Sequence, residues 1–287
     1  MRYQLKNPIS ISEVLENTNF KCTYSKDYEV KEICQTSEAR EGSLSFCTSL
    51  NSDDFNPKAL YIGNEKLALP NLLISENPRL DFIKILALLD LKIGFNHFDF
   101  ETSIHPSVRL GENVVIERGV IIGNDTYIDH GVVVRAGSRI GKNCFIGASS
   151  SIGTEGFGYE RDEQGVPIKF VHLGGVSIGD NVEIGSQTSI VRGTLSDTII
   201  ESNVKIDNLV HIAHNVHIKD GALVVACSEV SGSVVIGKNA WIAPNACIME
   251  KVVIGDNAVV GLGAVVIRDV PDRTTVAGNP AKPLIKK

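Results

Sequence analysis

The segment VHIAHNVHI carries three imidazoles, His211, His214 and His217, spaced three residues apart. A histidine near its ordinary pKa takes up and releases protons at neutral pH, and clustered histidines also bind zinc, so general base catalysis and metal ligation are both open to such a segment. The spacing does not place all three side chains on one face of a strand, which makes a metal site within one chain the weakest reading. A plain surface histidine is the remaining one. Choosing among them requires the elements that hold these residues.

From about residue 104 the sequence repeats with a period of six. Ile104, Leu110, Ile116, Ile122, Ile128, Val134, Ile140, Ile146 and Ile152 stand six apart without a break; Ile178, Ile184 and Ile190 form a second series, and a third runs from Ile200 to Val266. Neither a helix (3.6) nor an alternating strand (2.0) has this period, whereas a coil of short strands with a turn every six residues does. The reading is a β-solenoid whose triangular coils take 18 residues each, with the aliphatic residue pointing into the prism. The residue two places earlier (Val114, Val120, Val132, Cys144) also faces inward, because side chains alternate along a strand. Glycines directly after the aliphatic position, such as Gly111, Gly123 and Gly147, are expected at corners that need positive φ. The 24 hexads correspond to about eight coils. In this frame His214 lies two places after inward Ile212, on the outside.

Two phase breaks interrupt the repeat. Ile152 to Ile178 spans four hexads plus two residues, so the segment from Thr154 to Ser177 loops out; Ile190 to Ile200 spans one hexad plus four, so GTLSD bulges from a corner. Long loops on a rigid scaffold are common places for function.

The first hundred residues have no such period and hold most of the large aromatics. Ser10 and Glu13 have capping-box spacing for a short helix through Val14 and Leu15. Asn77-Pro78 opens another, with Leu80, Ile83, Leu86 and Leu89 on one face. Leu44–Phe46 and Ala59–Ile62 read as strands. The expected organisation is a small α/β domain over 1–99 for nucleotide-sugar binding, a β-helix acyltransferase domain over 100–270, and a C-terminal tail over 271–287 for donor contact.

The 287 residues carry 28 Lys+Arg against 34 Asp+Glu, a formal charge of −6, so no global positive field favours a nucleic-acid backbone. No stretch approaches the ~18 apolar residues of a membrane-spanning helix, and MRYQLKNPIS lacks the apolar core of a signal peptide, so a cytoplasmic protein is expected. The six cysteines include no Cys-x-x-Cys pair and are expected to be mainly small buried hydrophobes.

The segments IGTEGFGYERDEQGVPIKF and IGDNVEIGSQTSIVRGTLSDTIIESNVKIDNLVHIAHNV closely resemble the UDP-3-O-acylglucosamine N-acyltransferases of lipid A synthesis, which are trimeric left-handed β-helix enzymes. EGSLSFCTSLN and ENPRLDFIKILALLD resemble that family's uridine-binding domain, so the likeness covers most of the chain. It implies a left-handed parallel β-helix, a homotrimer with sites between neighbours, and His214 as general base. Asp207 in the I-D-N stretch is a candidate to orient it. Gly232, 18 residues after His214 and hence one coil away, is implied as the backbone oxyanion donor, with a corner glycine as the alternative. Such a set suits an amine attacking a thioester: the base takes the proton and an N–H stabilises the oxyanion. Phe46, Phe157, Tyr159, Asn208 and His211 are the implied substrate contacts.

The chain also departs from that pattern. Lys251 stands where the lipid A enzymes have a second active-site histidine. Ser49 and Ser52 occupy places of uracil contacts, leaving a deoxythymidine nucleotide as the alternative. GLGAVVIRDVPDRTTVAGNPAKPLIKK resembles the ends of coenzyme A-dependent hexapeptide acetyltransferases, which implies donor contacts at Gly263, Ala264, Arg268, Ala277, Gly278, Pro280 and Lys282, with Lys286 and Lys287 near phosphates. The lipid A enzymes instead continue into a helical tail that docks acyl carrier protein.

The first reading is therefore an N-acyltransferase moving an acyl group from acyl-coenzyme A to a nucleotide-linked amino sugar. The second is the lipid A enzyme itself, with acyl carrier protein as donor. In neither is a bound metal or a resident cofactor expected. A γ-carbonic-anhydrase-like metal hydratase and a non-catalytic trimeric scaffold are the further alternatives.

Overall fold

The computed structural model describes residues 2–16, 27–47, 55–64, 67, 69–96 and 100–284. Ser49, Ser52, Lys286, Lys287, Cys22 and the expected domain boundary at 99 lie outside the described residues. The chain divides into two compact units, one comprising 1–97 with 157–173, the other 98–156 with 174–287.

The first unit is built on a five-stranded sheet in the order β1(Arg2–Ser10), β2(Glu29–Cys34), β3(Ser43–Phe46), β4(Leu60–Gly63), β5(Leu72–Ile74). β1 is antiparallel to β2, and the remaining pairs are parallel. Helix α1(Ile11–Glu16) follows β1, with Ser10 Oγ accepting the N–H of Ser12 at 3.1 Å. Helix α2(Pro78–Lys92) starts as the sequence suggests: the Asn77 side chain accepts the Leu80 N–H, Pro78 occupies the first turn, and Leu80, Phe82, Ile83, Ile85, Leu86 and Leu89 are buried. Glu32, only 2% exposed, is held by Arg40 through Nε (2.9 Å) and Nη2 (2.8 Å) and by Ser43 Oγ (2.6 Å). Beside it Arg2, Gln4, Ser37, Glu38 and Arg40 border an open cavity of about 760 Å³.

The segment that leaves the solenoid at the first phase break joins this unit, unlike the 100–270 division expected from the repeat. It forms a hairpin of Tyr159–Arg161 with Pro167–Lys169. Phe170 meets Phe82 edge-on at 6.1 Å between ring centroids, and Phe82 in turn packs on Phe46 at 4.7 Å. The Arg79 guanidinium lies 5.7 Å over the Phe170 ring; Arg79 also pairs with Glu160 at 3.0 Å, and Lys84 with Glu163 at 2.8 Å.

The second unit is a parallel β-helix with three faces of eight, eight and ten strands. The register repeats the hexad arithmetic: Ile218 pairs with Ile236 and Ile236 with Ile254, each 18 residues on. Ile212, Ile218, Ile236, Ile248 and Ile254 are fully buried, each contributing about 1.5–3 kcal/mol of burial. The inner positions between them are small, Val216, Ala222, Val234, Ala240 and Ala246, also with no exposure. In the first coil, Ile104 and Leu110 are exposed rather than inward-buried. The coil count differs slightly from the hexad count: on the ten-stranded face Thr275–Ala277 continues the parallel stack and Lys282–Pro283 folds back on it antiparallel. The tail is thus part of this unit, with Leu284 N–H donating to Thr275 O and Ala281 N–H to Val265 O, both at 2.8 Å.

The glycines after the inward residue have a different cause from the one expected. Gly147 does not need positive φ; a Cβ there would stand 2.6 Å from the Ser186 nitrogen of the next coil, so these glycines serve close stacking. Positive φ falls two places later, at Asn113, Asn143, Asn181, Asn203, Asn239 and Asn257 among others. Asparagine enters the left-handed region at lower cost than other side chains because its short amide bonds locally. Of the described cysteines, Cys34, Cys47 and Cys144 are buried and Cys227 and Cys247 exposed.

Candidate functional site

His214 leaves the corner after strand His211–Ile212, partly exposed on the outside of the prism as the hexad frame requires. One coil on, at the same corner, stands Gly232. A Cβ built on Gly232 would come 2.6 Å from His214 Cε1 and 2.8 Å from Nε2, so only glycine lets the imidazole lie there. At matching corner places elsewhere the backbone N–H is taken by a side chain: Ala136 by Glu117 (2.9 Å), Asp220 by Glu201 (3.0 Å) and Lys238 by Asp256 (2.8 Å). Among the described residues the Gly232 N–H donates to no protein acceptor.

The neighbour of the His214 ring is Asn215, whose Oδ1 lies 3.0 Å from Nδ1. Asn215 takes φ 60° and its N–H is held by Thr198 Oγ1 at 2.9 Å. Its amide is gripped by the second phase-break bulge, through Thr194 and Ser196. Reading the sequence by hexads missed Asn215, Thr194 and Ser196 as functional candidates; the signal available was the coincidence of an out-of-phase bulge with the coil before I-A-H-N.

Asp207 belongs to a different corner, after strand Lys205–Ile206. Its Oδ1 accepts from the Asn208 N–H and Nδ2, each at 2.7 Å, and Oδ2 from the Ala226 N–H at 3.2 Å, so its hydrogen bonds order its own corner rather than His214. It borders a shallow groove of about 290 Å³ with Phe145, Glu183, Lys205 and Leu223. Asn208 Oδ1 is engaged by the Ser186 N–H at 2.7 Å. His211 is exposed on its strand between Ser189 and Glu229, and His217 pairs with Glu201 at 2.7 Å on the next face. The three histidines therefore point from a face, a corner and the next face. Among the described residues no group of three His, Cys, Asp or Glu is arranged to hold a metal ion.

Phe46, Phe157 and Tyr159 lie in the first unit. Phe157 is 90% exposed and pairs with Tyr159 at 4.9 Å. In the tail, Ala277, Gly278, Pro280 and Lys282 come together in the final turn, while Gly263 and Arg268 are exposed on the last coil. Ala264 is a correction: it is fully buried in the prism, because it occupies the inward place two before Val266, and its side chain is closed to any ligand. Lys251 is exposed at the corner beyond Gly232, its N–H donating to Gly232 O at 3.0 Å and its ammonium 3.7 Å from Glu250. No helix among the described residues is long and apolar enough to cross a membrane.

The family model of the bacterial transferase hexapeptide (six repeats) matches residues 119–154, 197–232 and 233–268. The UDP-3-O-acylglucosamine N-acyltransferase of Coxiella burnetii is 38% identical over 238 residues, covering 72% of this chain and 70% of that protein. The protein of that name from Delftia acidovorans is 45% identical over 97 residues, 34% of this chain and 29% of that one. Among solved structures, LpxA from Acinetobacter baumannii superposes with a TM-score of 0.58 at 27% identity, covering 66% of this chain and 71% of that chain. The UDP-N-acetylglucosamine acyltransferase of Francisella novicida gives 0.56 at 26%, covering 64% and 68%. These likenesses bear out the left-handed parallel β-helix expected from the repeat. They side with the second of the two acyltransferase readings over the coenzyme A-dependent one placed first. The chain belongs to the UDP-3-O-acylglucosamine N-acyltransferase family of hexapeptide-repeat acyltransferases.

Proposed function

We propose that the protein transfers a 3-hydroxyacyl group from acyl carrier protein to the amine of a UDP-linked 3-O-acylglucosamine, the acylation that lipid A synthesis requires, and that it works as a homotrimer in the cytoplasm. The observation that carries this is the contact of His214 with Gly232, which leaves room for no side chain between the imidazole and a backbone N–H. The amine nitrogen attacks the thioester carbonyl, His214 takes the proton that the nitrogen sheds, and the Gly232 N–H donates to the oxygen that becomes negative. The C–S bond then breaks and the proton passes to the leaving thiolate, giving an amide and a free thiol. The flat sides of a β-helix give only shallow grooves, which supports sites completed by a neighbouring copy. The first unit, with Phe46 on its sheet and Phe157 and Tyr159 on its hairpin, is proposed to bind the nucleotide sugar.

A second reading, acyl-coenzyme A as donor, is favoured by the final turn that gathers Ala277, Gly278, Pro280 and Lys282. The deciding experiment follows thiol release and product mass with purified protein, 3-hydroxyacyl carrier protein or acyl-coenzyme A as donor, and UDP-3-O-acylglucosamine or other nucleotide amino sugars as acceptor. Turnover with the carrier protein and UDP-3-O-acylglucosamine, reduced by about 100-fold or more in His214→Ala, is expected. Turnover only with acyl-coenzyme A would replace the donor, and full activity of His214→Ala would remove the base.

A further inference from the structure

The Asn215 amide has one allowed orientation. Nδ2 lies 3.1 Å from the carbonyl oxygen of Ser196, which can only accept, and 2.8 Å from Ser196 Oγ. Oδ1 takes the backbone N–H of Thr194, which can only donate, at 3.2 Å, and the Thr194 hydroxyl at 2.8 Å. Flipping the amide would set donor against donor and acceptor against acceptor. This orientation turns Oδ1 toward His214 Nδ1, 3.0 Å away. An oxygen acceptor at that distance requires the proton on Nδ1, so the neutral ring carries its lone pair on Nε2. Nε2 belongs to the ring edge that a Cβ at Gly232 would meet at 2.8 Å.

We infer that Asn215 is a positioning residue that fixes the tautomer of His214, and that the bulge at 193–197 is the clamp that fixes Asn215. The bulge closes because residue 193 is glycine: a Cβ there would stand 1.6 Å from Ser196 O and 3.0 Å from Asn215 Nδ2. One coil on, the same corner lacks such an amide, since the residue after Gly232 is Ser233. The inference deepens the reading of His214 as general base and rests on it for its meaning, though not for its test.

The tautomer is read without substrate. Two-bond 1H–15N correlation spectra of the full chain labelled at histidine, with His214→Ala assigning the signal, are recorded above the imidazole titration. His214 is expected protonated at Nδ1 in the wild type. Asn215→Gly, which accepts positive φ but lacks the amide, is expected to shift it toward Nε2–H, and Asn215→Asp, which keeps an acceptor, to restore Nδ1–H. In the transfer assay Asn215→Gly loses roughly 100-fold in kcat with little change in KM, because a base in the wrong tautomer binds substrate but takes no proton. A wild-type ring protonated at Nε2, or an Asn215→Gly spectrum like the wild type, overturns the inference. If Asn215→Gly fails to fold, Thr194→Val, which removes one donor from Oδ1, must still move the Nδ1–H signal; no movement has the same force. Full activity of His214→Ala would defeat the functional reading while leaving the spectral result to decide the tautomer separately.

Discussion

The two units reach a buried core by opposite routes. In the β-helix a residue's neighbours are those 18 places before and after it, so Ile236 touches Ile218 and Ile254 and each coil repeats the last. In the first unit the neighbours come from anywhere: Phe82 on α2 packs against Phe46 and against Phe170, 88 positions further on. A repeated coil can carry a catalytic corner with little change to its packing. An irregular sheet can accept a loop from elsewhere in the chain, and this one accepts the hairpin at 159–169.

Damage in each unit should spread accordingly, and Phe82→Ala is expected to have the largest effect. Removing a fully buried ring that contacts two others should cost about 3–5 kcal/mol. Hydrogen exchange should show the loss in the sheet and in the hairpin at 159–169, while Ile236→Ala, costing about 2–5 kcal/mol, should lower protection at Ile218 and Ile254 first. An Ile236→Ala loss spread evenly over both units would break the comparison.

The catalytic corner gives the next effect. Gly232→Ala places a methyl on the His214 ring, and displacement of a base by about 1 Å costs up to about 100-fold in rate, so kcat should fall by roughly 10–100-fold while the melting temperature barely moves. Wild-type activity in that variant would show that the ring has space to retreat.

What the sequence made legible follows the same division. The period located His214 outside the prism, Gly232 beside it and both phase breaks, because a solenoid turns sequence separation directly into distance. It misassigned the corners, since the glycines that stand out as a motif answer to stacking while the turn itself is made by the asparagines two places later. Asp207 was paired with His214 from resemblance, but the two leave different corners. Asn215 went unnoticed because its partners lie in a bulge that no period describes. Nor does any local pattern tell that Phe170 belongs with Phe82; that contact depends on two chain segments meeting in space.

Corner chemistry predicts a smaller effect. Asn257→Ala should lose about 1 kcal/mol through its positive φ of 57°, and Asn257→Gly should lose only tenths, a difference that paired thermal melts resolve. An equal loss in both would assign the role of these asparagines to their amides instead.

The smallest effect is a slope with pH, and it belongs to the first unit. Burial works to raise the Glu32 carboxyl, but the hydrogen bonds from Arg40 and Ser43, with the Arg40 charge, hold it below the ordinary value. A carboxyl depressed in the folded state adds stability that is complete above its unfolded pKa and is lost as pH falls through the folded one. Acid titration followed by exchange in β2 and β3 should show this loss, and Glu32→Gln should flatten it.

The last strand of the β-helix has a meaning beyond its own packing. A stack of identical coils is a growing chain in the polymer sense: each finished coil offers a template for the next, and nothing in the hexads says when to stop. Here residues 269–284 end the growth on every face. Asp269 Oδ1 takes the Val253 N–H, Gly278 O takes that of Val265, and Lys282–Pro283 lies antiparallel on the third, where proline has no N–H to offer a further strand. The sequence that ends the repeat is a chain terminator, and it keeps a fold built by addition from adding a stranger.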